Sequence, residues 1–140
     1  MYIGDNMALL EWTPAFSVDL ITVDNQHKKL FGYINELYDA LAERREHEIL
    51  SQLFNDLEEY THTHFGFEEA CFDKFNYERK DSHILQHKEF ISKLALMKKD
   101  IQEDAEDVED LLEFLVNWLM HHIKIFDHQY SQCFHEHGVK

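Results

Sequence analysis

Glycine, proline and cysteine are all scarce in this chain: four, one and two among 140 residues. An all-β sandwich or barrel spends turn residues at each chain reversal, so that class is excluded. Cys71 and Cys133 are too few for a disulfide framework and form no CxxC pair, and they read as reduced thiols of a cytoplasmic protein. No apolar run reaches the ~18 residues that a membrane span needs. The N-terminal MYIGDNMALLEW lacks the basic region and small-residue cleavage site of a signal peptide. Positive charge is short as well. Thirteen Lys plus Arg stand against 28 Asp plus Glu, a net charge of −15. Such a field repels phosphate backbones and anionic lipid, which argues against nucleic acid and membrane surfaces as partners.

What the chain has in quantity is apolar and aromatic side chains, 44% and 14%, and eleven histidines. At this length residues 1–140 form one domain with a real core. Four segments carry the helical period. The first, about 23–43, sets His27, Leu30, Ile34, Leu37 and Leu41 on one face, with Thr22 or Asp24 placed to cap it. The second, about 46–75, aligns Leu50, Leu53, Leu57, Tyr60 and His64. The third, about 80–102, aligns His83, His87, Phe90, Leu94, Met97 and Ile101. After an acidic run, Glu103 to Asp110, the fourth turns Val108, Leu111, Leu115, Trp118, Leu119 and His122 inward and continues to about His135. The expected fold is all-α, an antiparallel up-down-up-down four-helix bundle over residues 21–137. An apolar arm, residues 1–20, with Leu9, Leu10, Trp12, Phe16 and Val18, packs across it.

Each apolar stripe is interrupted by a histidine or a carboxylate. Such groups are costly in a core unless they partner one another or a metal. The first helix contributes His27, the second His64 and Glu68, the third His83 and His87, and the fourth His122 and Asp127. A single His pair means little, since eleven His in 140 residues give roughly one pair at any chosen spacing. The information lies in phase. His121 sits about 100° from His122, and His62 about 200° from His64, so both are expected at the surface with His47, His128, His135 and His137. Asp127 is the weakest member. Five residues after His122, it lies about 140° off the stripe and needs a locally altered turn to face inward; spacing alone does not prefer it to Asp73 or Glu69. Five imidazoles and two carboxylates exceed one tetrahedral zinc site and suit two adjacent metals with shared carboxylates. Neutral imidazole in excess of anions favours O2 binding over high-valent oxidation.

Trp12, the run D-N-Q-H-K-K-L from Asp24, H-F-G-F-E-E from His64, H-I-L-Q-H-K-E-F from His83 and W-L-M-H-H-I-K-I-F-D from Trp118 together resemble a bacterial hemerythrin over nearly the whole chain. The resemblance implies reversible O2 binding at two non-haem iron ions (Fe2+/Fe3+). His83, His87 and His122 would hold a saturated iron, and His27 and His64 the other. Glu68, Asp127 and a solvent-derived oxo or hydroxo group would bridge them. The His-x4-Asp spacing, a family hallmark, selects Asp127. Trp118 and Leu119 match the positions that wall the O2 pocket, with Phe31, Phe65, Phe67 and Phe126 as additions. Tyr77-Glu78 replaces the family's usual Tyr-Pro, and Phe72 stands where methionine is frequent. O2 storage, transport or delivery is the expected role, without catalysis. A sensor domain with a protein partner, or a di-iron enzyme reducing O2, peroxide or nitric oxide, are the alternatives.

Overall fold

The computed structural model of the chain describes residues 9–104 and 106–140. Residues 1–8 of the expected arm, and Ala105 of the acidic run, lie outside the described residues. Helices α1 (Ile21–Ala42), α2 (Glu46–Phe75) and α3 (Lys80–Gln102) form where the apolar period places them. Helix α4 (Val108–Trp118) runs into a π-helical stretch, Leu119–Phe126, followed by the short α5 (Asp127–Gln129) and α6 (Ser131–Glu136). The expected unbroken fourth helix is therefore corrected: it is helical throughout most of its length but changes pitch at the residues that carry His122.

Short loops join α1, α2, α3 and α4, and each loop holds one left-handed residue that is not glycine: Arg44, Asn76 and Asp104. Asn76 ends α2 in a Schellman arrangement, with Tyr77 N–H donating to the Phe72 carbonyl at 2.9 Å. The short side chains of Asn and Asp tolerate this region, which is how the chain turns with so little glycine. Carboxylates fill the first turns of α2 (Glu46, Glu48) and α4 (Glu109, Asp110), where the helix dipole favours them.

Helix α1 packs on α2 and α4, and α2 packs on α3. Two apolar clusters fill the interior, one on either side of the polar layer. The larger includes Leu30, Phe31, Leu57, Tyr60, Phe65, Phe90, Leu115 and Leu119. The smaller, at the end where α2 turns into α3, includes Val18, Leu20, Val23, Phe72, Tyr77, Tyr130 and Phe134. From residue 9 on, the arm behaves as its composition implies. Leu9, Leu10 and Trp12 pack against the larger cluster, and Leu10 exchanges two 2.9 Å hydrogen bonds with the Asn35 side chain. The described residues contain no strand and no helix long and apolar enough to cross a membrane.

The capping expectation fails. Helix α1 begins at Ile21, earlier than the apolar period shows, so Thr22 and Asp24 lie inside its first turn and the cap position falls to Leu20. Asp24 instead reaches back to the arm and accepts from the Ser17 hydroxyl at 2.6 Å and the Val18 N–H at 2.9 Å. Thr22 donates through its hydroxyl (3.0 Å) and its N–H (3.3 Å) to the Lys140 carbonyl. Because Asp24 satisfies two donors at the arm–helix junction, Asp24→Ala is expected to lower the free energy of unfolding by about 1–2 kcal/mol in urea denaturation.

Candidate metal centre

The six residues singled out by phase, and Asp127, which the family resemblance selects, meet in one buried layer. His27, His64, Glu68, His83, His87, His122 and Asp127 are each at most 2% exposed. They divide into two groups whose ligand atoms lie within 4.8 Å of one another. Glu68, His83, His87 and His122 make one; His27, His64, Glu68 and Asp127 make the other. Asp127 faces both: its Oδ1 is 3.0 Å from His83 Nε2 and 3.1 Å from His122 Nε2, and its Oδ2 is 2.9 Å from His27 Nε2. Glu68 Oε1 lies 3.0 Å from His87 Nε2 and 3.4 Å from His64 Nε2.

Asp127 reaches this layer because the helix is wound differently there. The Asp127 N–H donates to the His122 carbonyl, a bond across five residues in place of the usual four. A π turn holds about 4.4 residues, so a side chain five positions on lies nearly above its predecessor. This is the altered turn that the spacing required.

Proximity here is not hydrogen bonding. Both oxygens of Glu68, both oxygens of Asp127, and Nε2 of His83, His87 and His122 are buried without a hydrogen-bond partner. His27 Nε2 and His64 Nε2 face each other at 3.1 Å. Lone pairs that converge on shared points, and not on donors, are what a metal site offers and what a purely structural polar cluster avoids. Nitrogen and carboxylate donors with no thiolate suit iron, and by geometry the set can hold two ions.

Electrostatics agree. Burial and the charge of Asp127 oppose ionisation of Glu68, yet His64, His83 and His87 hold its pKa below the usual carboxylate range. Burial opposes ionisation of Asp127 too, and His122, His27 and His64 hold it well below its ordinary value. Burial disfavours charge on His83, but Asp127 and Glu68 override it and push the pKa up to about 9. At His122 burial prevails and the pKa falls. Two anions in this layer thus draw in positive charge, and protons compete with metal ions for the same nitrogens.

A further set of residues fixes the imidazoles. His64 Nδ1–H donates to Gln26 Oε1, His122 Nδ1–H to Gln86 Oε1 at 2.7 Å, and His87 Nδ1–H to Glu69 Oε2 at 2.8 Å. Each bond selects the tautomer that leaves Nε2 free to bind metal. Gln26 and Gln86 carried no role in the sequence reading, and Glu69 entered it only as a carboxylate that spacing does not separate from Asp127. Each is the chain neighbour of a ligand on the adjacent helix: Gln26 of His27, Gln86 of His87, Glu69 of Glu68. They sit about 100° off the inward stripe, at the seams between helices, where helical phase marks a residue only as boundary.

Aromatic rings press on the ligands. Phe65 lies flat on His87 (3.8 Å between centroids, 5° between planes) and Trp118 on His122 (3.9 Å, 10°). Tyr60 stacks on His64 at 5.3 Å, and Phe72 tilts against His83 at 4.8 Å. Leu119 is fully buried one turn before His122, in the cluster that also holds Phe31 and Phe65. Of the other rings named for the pocket wall, Phe126 is half-buried with its centroid 5.9 Å from His122. Phe67 packs against the opposite cluster. The buried hydroxyls of Tyr60 and Tyr130 flank the layer on opposite sides. Burial, reinforced by the charges of Glu68 and Asp127, raises both well above the ordinary phenol pKa. His47, His62, His121, His128, His135 and His137 are all exposed.

Residues 19–132 match the Hemerythrin HHE cation binding domain. A bacteriohemerythrin from Methylococcus capsulatus is 35% identical over 129 residues, covering 91% of this chain and 98% of the relative. One from Pseudomonas aeruginosa is 34% identical over 125 residues, 89% of this chain and 80% of that protein. Myohemerythrin-1 of Phascolopsis gouldii is 29% identical over 120 residues, 86% and 90% of the two chains. Among solved structures, the crystal structure of wild-type hemerythrin superposes with a TM-score of 0.81 at 30% identity, covering 90% of this chain and 98% of that one. Motif, fold and buried donor set converge, and the chain belongs to the hemerythrin family.

Proposed function

We propose that this chain binds O2 reversibly, for storage, transport or delivery, at two non-haem iron ions. His83, His87 and His122 would hold one ion and His27 and His64 the other, with Glu68 and Asp127 shared between them. The observation that carries this reading is the uneven division of imidazoles about two common carboxylates: three on one side, two on the other. The His27–His64 side has one protein donor fewer, which leaves room there for an incoming small molecule. Two ferrous ions held there would supply the two electrons that O2 binding takes up and its release returns.

The chain's own residues make that exchange reversible. Leu119, Phe31 and Phe65 present hydrocarbon to the layer and keep water out. Trp118, stacked on His122, closes the same wall. Gln26, Gln86 and Glu69 hold His64, His122 and His87 in one tautomer, so no ligand ring has to turn as charge shifts. A carrier role in place of catalysis is supported by His62 and His121, the ionisable groups nearest the ligands in sequence. Both are exposed, and His121 is engaged with the Asn117 carbonyl at 2.9 Å, so neither offers a proton route inward. Cys71 and Cys133 are free thiols, which supports the cytoplasm as the location.

Visible spectra through anaerobic reduction, admission of O2 and its removal should show a colourless form, then charge-transfer bands, then the colourless form again. Bands that persist after O2 is removed would replace the carrier reading with an oxidase or redox sensor. His122→Ala is expected to lose iron and lower Tm by several degrees, whereas His121→Ala keeps both, as metal analysis and calorimetry will report. Leu119→Ala removes a buried isobutyl group from the wall, and autoxidation of the oxygenated protein should speed severalfold in stopped-flow absorbance.

A further inference from the structure

On the larger-cluster side of the metal layer, two buried hydrogen-bond donors have no partner: the Tyr60 hydroxyl and the Trp118 indole N–H. An orphaned buried donor is rare, and phenylalanine at position 60 would fill the same space without it. The two donors do not stand at equivalent places. Trp118 lies on His122, which belongs to the three-imidazole group. Tyr60 lies on His64, in the group with one imidazole fewer.

Tyr60 precedes His64 by one helical turn, so both side chains leave α2 in the same direction. Their rings are stacked with 25° between planes. The charges of Asp127 and Glu68 act on the buried Tyr60 hydroxyl, so the stacked phenol carries its donor near the carboxylates of the metal layer. Apolar side chains surround it in the cluster shared with Phe31 and Leu119. A cleft of about 30 Å3, bordered by Gln26, Lys29, Glu59, Tyr60 and His64, approaches from solvent. The hydroxyl oxygen is nevertheless shut off from solvent, so water in that cleft does not satisfy it. The donor is held in reserve for something that arrives inside.

We propose that the Tyr60 hydroxyl donates a hydrogen bond to the exogenous ligand bound on the His27–His64 side, favouring small molecules whose outer atom is electron-rich: O2 once bound, and linear anions such as azide. The inference rests on the O2-binding reading for its location and adds to it a residue that discriminates among ligands. The apolar wall excludes water without preference, whereas one fixed donor strengthens acceptors alone. It also slows ligand escape, since leaving means abandoning the bond in a place where no water replaces it.

The test uses Tyr60→Phe with azide as the probe. In the iron-loaded, oxidised protein the variant should bind azide about tenfold more weakly, the change expected for one hydrogen bond to a charged acceptor. The infrared stretch of bound azide should shift between H2O and D2O in the wild-type protein and not in the variant. In metal-free protein, Tyr60→Phe should be at least as stable as wild type, because the hydroxyl removed there has no partner. Unchanged azide affinity and stretch would overturn the proposal. So would a destabilised metal-free variant, which would place the hydroxyl in a bond within the protein. Irreversible O2 uptake by wild-type protein that still shows the Tyr60-dependent azide shift would remove the carrier reading and keep this one.

Discussion

Five imidazoles and two carboxylates share a layer from which water is excluded, and only positive charge placed among them satisfies them all. Burial alone would push both carboxylates toward their neutral forms, yet Glu68 and Asp127 are held below the usual range by the rings around them. The folded bundle therefore contains a standing demand for cations at its centre. Much of the rest answers to it. Helices must be long enough to carry ligands in mid-span, and apolar clusters must seal the layer on both sides. Glutamine and glutamate at the helix seams must turn each ring the right way.

The two sides of the layer differ in chemistry. Toward the Leu119 side lie leucine, phenylalanine and a single phenol stacked on His64. Toward the α2–α3 turn lie Phe72, Tyr77 and Tyr130, with Tyr130 close enough to Glu68 to feel its charge. Phe72 sits at the centre of that second side. Its ring contacts His83, Tyr77, Tyr130 and Phe134 at centroid distances of 4.8 to 5.7 Å. The three-imidazole group touches both sides, Phe72 tilting against His83 from one, Phe65 and Trp118 lying on His87 and His122 from the other.

Helical phase alone read α2 and α3 correctly and placed His27, His64, Glu68, His83, His87 and His122 inward. In long, strongly periodic helices the inward face is a direct record of what the core requires. The capping of α1 was not legible in the same way. The helix starts on Leu20 and Ile21, which carry no capping signal, and the arm ties itself to Asp24 by a local reach that only coordinates reveal. Gln26, Gln86 and Glu69 were hidden because a boundary position on one helix becomes a ring-orienting position only once the neighbouring helix is docked. A regular helical angle turns Asp127 away from the layer, and the wide turn brings it inward.

That wide turn reaches beyond Asp127. A π turn is an α-helix with one residue more than it needs, and every position after it is rotated by about 100° from where an unbroken helix would put it. Asp127, Tyr130 and Phe134 are buried at 0% exposure, while Phe126, Cys133 and the exposed Gln129 flank them. In an unbroken helix the flanking three would face the core. The inward identity of the last third of this segment is thus written in chain length as well as in side chains. Straightening the stretch into an ordinary α-helix at unchanged chain length would exchange a carboxylate, a phenol and a phenyl ring for a phenyl ring, an amide and a thiol, whereas a regular helix one residue shorter would present the original three. The extra residue therefore acts as a spacer: the wide turn that absorbs it decides which of the following side chains line the core.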